Sequence, residues 1–164
     1  MGYTQEEFTK IVERVRGEKG VDLSMAEDLS IAVMNLISLE EHFFFTAEKT
    51  GKDNYFDSAN EIREVRKVAL KTLVGTHEGE TWCATKHLLA ATMRLIEVGT
   101  KLQSDGKKDE AKKMFDNAYK VYSIFWALRL KLIEVKDVAL ASKKDEKPWT
   151  TEDLVTKLAD CCKE

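Results

Sequence analysis

Residues 23–51, "LSMAEDLSIAVMNLISLEEHFFFTAEKTG", decide the fold. Ser24 followed three residues later by Glu27 has the spacing of a capping box, in which each side chain satisfies a backbone N–H at a helix start. Met25, Leu29, Ala32, Val33, Leu36, Leu39, Phe43 and Ala47 recur at three- and four-residue steps, which places them on one helical face. Gly51 is a natural stop, because only glycine enters the left-handed region without steric cost. The stretch therefore predicts one helix over 25–50 whose apolar stripe has to pack against something else.

The same pattern extends in both directions. Thr4 and Glu7 form a capping box, and Phe8, Ile11, Val12 and Val15 a narrow stripe, so a short helix is expected over 4–16 with Gly17 as its stop. Asp53 is positioned to cap a helix over 54–74, with Tyr55, Ala59, Ile62, Ala69, Leu70 and Leu73 on its face. "GTHEG" separates it from a helix over 80–104, which "SDG" ends. The next helix is expected to start near Lys108 and run past 140, with Met114, Ala118, Val121, Phe125, Leu128 and Leu132 inward. The charged linker "SKKDEKP" follows. Trp149, Thr150 and Leu154 then have the spacing of a hydrophobic staple, opening a sixth helix to about 162. No stretch alternates as a strand would.

Four long amphipathic helices joined by short turns predict an all-α fold: an antiparallel, up-down four-helix bundle with short N- and C-terminal helices added. The bundle domain is expected over 1–147 and a docked C-terminal helix over 148–164. "GTKLQSDGKKDEAKKMFDNAYKVY" resembles a tetratricopeptide-repeat hairpin in its turn and small-residue spacing. It occurs once, and a single unit cannot bury itself, so it reads as an ordinary helical hairpin.

Composition narrows function. The 164 residues carry a formal net charge of −3, with hydrophobic residues at 43 % and charged residues at 34 %. An acidic globular chain argues against nucleic acid as partner, whose phosphates reward a basic face. Lys107, Lys108, Lys112 and Lys113 alternate with Asp109 and Glu110 and read as a solvated helix face. Cys161 and Cys162 are adjacent and Cys83 is left over, so a disulfide framework is not expected and a reducing cytoplasm fits. "MGYTQEEF" has neither the basic nor the apolar region of a signal peptide, and Glu6 breaks the lipidation pattern at Gly2. No apolar run reaches the about 20 residues of a membrane span.

The informative residues are charges on apolar stripes. Glu40 falls among Leu36, Phe43, Phe44 and Ala47; Arg66 falls among Ile62, Ala69, Leu70 and Leu73. Arg129 lies between Tyr122, Phe125, Trp126 and Leu132. At about 1.5 Å of rise per residue, Glu40, Arg66 and Arg94 reach the same level of an up-down bundle. An inward glutamate beside an inward arginine reads first as a structural ion pair. Two arginines against one glutamate would also leave positive charge for a carboxylate or phosphate. Glu40, Arg66, Arg94 and Arg129 are thus the candidate ligand-binding residues.

"GETWCATKHLL", residues 79–89, places Glu80, Cys83 and His87 on one edge of a helix. Thiolate and imidazole suit zinc or copper, but a complete site needs a fourth group such as His77, Glu78, Glu40 or Glu61. The paired Glu-x-x-His motifs of di-iron bundles are absent, as is the Arg–His spacing of HEPN nucleases. Packing of Trp82 with Thr81, Thr85, Thr92 and Gly99, small residues that admit a neighbouring helix, accounts for the stretch without a metal. Phe45 falls opposite the apolar stripe, where a terminal helix or a two-fold dimer would cover it. The expected function is a small cytoplasmic binding or interaction module, without cofactor or catalysis, that holds a protein partner or a small anion. The alternatives are a metal-binding bundle using Cys83 and His87, and an enzyme acting on a small anionic substrate in a core pocket.

Overall fold

The computed structural model describes residues 6, 9–10, 13–14, 17, 22–75 and 80–132. The expected helix over 148–164, its boundary with the bundle, His77 and Glu78 lie outside the described residues. Four long helices make an all-α bundle: α1 (Leu23–Thr50), α2 (Asn54–Val74), α3 (Thr81–Ser104) and α4 (Lys108–Arg129). Among the described residues there is no strand, and no helix is long and apolar enough to cross a membrane. Among the described residues of the N-terminal segment, Glu6, Thr9, Lys10, Glu13, Arg14 and Gly17 are helical, so Gly17 takes a helical position rather than that of a stop. Arg14 Nη2 donates to the Leu130 carbonyl at 3.4 Å, tying this segment to the end of α4.

The cap of α1 differs from the expected capping box. Asp22, in extended conformation, accepts from Met25 N at 3.0 Å, two residues ahead of Ser24. A carboxylate there meets both the unpaired N–H groups and the positive end of the helix dipole. Asp53 makes no side-chain cap: its own backbone is already helical, whereas a capping residue has to be extended. The turn is closed instead by Phe56 N donating to Asp53 O at 2.9 Å.

Glycine ends α1 as expected: Gly51 sits at φ 64° and donates to Ala47 O at 2.8 Å. The end of α3 is a Schellman turn, with Lys107 N bonded to Leu102 O and Gly106 N to Gln103 O around Gly106 at φ 77°. The helix expected to run past 140 instead ends at Arg129. Its carbonyls are closed by a second Schellman turn, Leu132 N to Ala127 O at 2.8 Å and Lys131 N to Leu128 O at 3.0 Å. Lys131 supplies the left-handed residue at φ 53° without being a glycine, so no glycine in the sequence announced this stop.

Backbones approach most closely within the two helical hairpins, α1–α2 and α3–α4; between the hairpins, α1 lies nearest α3. Val33, Met34, Leu70, Leu73, Leu89 and Phe125 form the centre of the core, with Trp82, Tyr122 and Trp126 packed around it. The buried sector of α1 is rotated from the expected stripe. Val33 and Ala47 of that stripe are buried, but Met25 is 55 % exposed and Ala32 is exposed, whereas Ala26, Ser30 and Met34, outside the stripe, are buried. Ser30 is tolerated inside because Tyr122 Oη lies 2.8 Å from its Oγ, and Oγ donates to Glu27 O at 2.7 Å. A serine hydroxyl has one proton, so Tyr122 donates the other bond.

Thr85, Thr92 and Gly99 are buried along α3, as their size suggested. Gly99 is filled by Phe115: a Cβ at Gly99 would stand 2.5 Å from one ring carbon of Phe115 and 2.7 Å from another. The absence of a side chain at Gly99 is what lets this phenyl ring lie on α3.

Candidate functional site

Glu40 and Arg66 meet across the α1–α2 seam. Arg66 Nε donates to Glu40 Oε1 at 2.5 Å, and Nη2 reaches Oε2 at 3.5 Å. The Arg66 side chain is 1 % exposed and that of Glu40 14 %. A guanidinium taken out of water needs a carboxylate held in good geometry, and this pair provides one. Arg63, one turn earlier on α2, donates from Nε to the other oxygen of Glu40 at 3.3 Å. One carboxylate is therefore shared by two arginines, one inside the bundle and one at its surface.

This cluster forms one side of a cleft of about 610 Å³ between α1, α2 and α3. Ile37, Glu40, Glu41, Phe44 and Phe45 line it from α1, Phe56, Ala59, Asn60, Arg63 and Arg66 from α2, and Lys86, His87 and Ala90 from α3. Phe44, expected to face inward, is 48 % exposed; Phe45 is 55 % and Phe56 39 % exposed. The Phe44 ring lies edge-on to Phe45 at 5.2 Å between centroids and 6.4 Å from Phe56. Phe43, less exposed than its two neighbours, stacks on Tyr55 of α2 with 6.1 Å between centroids. A second cleft, of about 540 Å³, lies between α1 and α3 and is lined by residues including Ser38, Met93, Arg94 and Glu97. Glu41 and Phe45 line both clefts and stand between them.

Of the other expected site residues, His87 shares the cleft with Glu40 and Arg66, whereas Arg94, Arg129, Glu80 and Cys83 do not line it. Arg94 is at the right level but points outward, with Nη2 donating to Ser38 Oγ at 2.6 Å and Nε 3.9 Å from Glu41. Arg129 is half-buried and lines neither cleft; its Nε is buried without a hydrogen-bond partner. Cys83 is a buried thiol, whereas Glu80 is exposed and His87 lies at the cleft. Among the described residues no group of three or more His, Cys, Asp or Glu side chains could hold a metal ion. Sequence reasoning passed over Arg63, Lys86, Phe44 and Phe56.

No family model matches the chain, and no curated protein or solved structure is significantly similar to it.

Proposed function

We propose that the chain is a non-catalytic binding module that holds a partner in the cleft between α1, α2 and α3. The observation that carries this reading is the grouping of three exposed phenylalanines, Phe44, Phe45 and Phe56, with the Glu40–Arg63–Arg66 cluster in one concave surface. Apolar area left in water costs about 25 cal/mol per Å², so covering the exposed half of each ring, about 100 Å², contributes at most about 2 kcal/mol to a complex. Contiguous aromatic surface rimmed by charge is the usual composition of an interaction site. The buried ion pair holds α1 and α2 in register, so the aromatic wall keeps its shape without a ligand. We place the protein in the cytoplasm, supported by a cysteine pattern unsuited to disulfides.

Phenylacetate, which combines a ring and a carboxylate, is a minimal probe. Titrated into the labelled protein at millimolar concentration, it should shift the backbone amides of residues 40–45, 56–66 and 86–90 and leave the α3–α4 turn unmoved. Shifts spread evenly over the chain, or none, would sink the reading.

A further inference from the structure

We infer that the occupant of this cleft is an acidic, apolar peptide segment of another protein, an assignment that rests on the binding reading above. Three observations select it. The first is charge. Among the described residues, two arginines, Arg63 and Arg66, line the cleft with Glu40 and Glu41. Glu41 is also drawn toward Arg94 on its far side.

The second is the division of labour between the arginines. Arg66 holds Glu40 from inside, so Glu40 stays paired if Arg63 leaves it. Arg63 is 54 % exposed and bonds Glu40 at 3.3 Å, a surface arm of little net worth. It can turn to an incoming carboxylate without opening the buried pair, and a guanidinium binds a carboxylate through two parallel N–H donors. The third is extent. Phe45 and Glu41 form a ridge with a cleft on each side. A small molecule would fill one cleft; a polypeptide segment can straddle the ridge and cover Phe45 from both. Apolar side chains of the segment lie on Phe44, Phe45 and Phe56, and an acidic side chain lies on Arg63.

The test is selection from a random peptide library displayed on phage, using the full chain as bait. The expected result is enrichment of sequences pairing Asp or Glu with Leu, Ile, Phe or Trp. A synthetic winner should lose at least tenfold in affinity against Arg63→Glu and against Phe45→Ser. Both positions are more than half exposed, so both variants should melt like the parent. Enrichment of basic sequences, or winners that bind Arg63→Glu undiminished, overturns the assignment. So does a concentration-dependent dimer abolished by Phe45→Ser, which would give the face to a second copy of the chain. If no peptide is enriched while phenylacetate still shifts the cleft amides, the peptide assignment fails and the binding reading stands. If both probes fail, both readings fall.

Discussion

Glu40 accepts from two arginines at once, Arg66 from within the bundle at 2.5 Å and Arg63 from its surface at 3.3 Å. The asymmetry has a consequence for stability. Glu40→Ala strips the carboxylate from a guanidinium that is 1 % exposed, and should cost about 3 kcal/mol in urea unfolding. Arg66→Met should cost less, because Glu40 keeps Arg63 and some water. The double variant Glu40→Leu, Arg66→Met should lie closer to the parent than Glu40→Ala does. A Glu40→Ala protein as stable as the parent would mean that the pair contributes nothing.

The Ser30–Tyr122 bond joins the two hairpins, since α1 and α4 have few close backbone contacts. Ser30→Ala and Tyr122→Phe should each cost about 1 kcal/mol. Together they should cost little more than either alone, because both remove the same bond. Strict additivity in a double-mutant cycle would show that the hydroxyls are not coupled.

Gly99 and Phe115 should be coupled through space. Replacing a mid-helix glycine by alanine favours the helix by about 1 kcal/mol. Here the new Cβ would stand 2.5 Å from the Phe115 ring, so the ring has to move. Gly99→Ala is therefore expected to be neutral or mildly destabilising in the parent, and stabilising by about 1 kcal/mol in a Phe115→Ala background. The same effect in both backgrounds would rule out the contact.

Cys83 is 6 % exposed, and a thiol reacts only where reagent can reach it. Iodoacetamide should leave Cys83 unmodified in the native protein and alkylate it in urea, with the site read by peptide mass spectrometry. Rapid native labelling would place the thiol at the surface.

Phe45 is more exposed than buried and gives the fold little support. At 55 % exposure, Phe45→Ser should change unfolding free energy by less than about 0.5 kcal/mol. It should also reduce binding of an apolar dye to the native protein. A large loss of stability would return Phe45 to the core.

Helix existence was determined locally. The three- and four-residue recurrence of apolar side chains marks α1 through α4, and Gly51 marks a stop because a left-handed residue is needed there. The inward charges were legible for the same reason: Glu40 and Arg66 each sit within an apolar stripe, and a lone buried charge implies its partner. Tertiary structure decided the rest. A helix rich in apolar residues has more than one sector able to face a core, and the neighbours choose among them. Packing against α3 and α4 turned Ser30 inward to Tyr122 and left Met25 in water. It set Arg94 against Ser38 and Glu41 rather than beside Glu40. It ended α4 at Arg129 and put Lys131, a residue with no intrinsic preference for the left-handed turn, at φ 53° just beyond it. The cleft depends on three helices meeting at Phe44, Arg63 and His87. Periodicity along one helix specifies which residues share a face, but not which helix that face will meet.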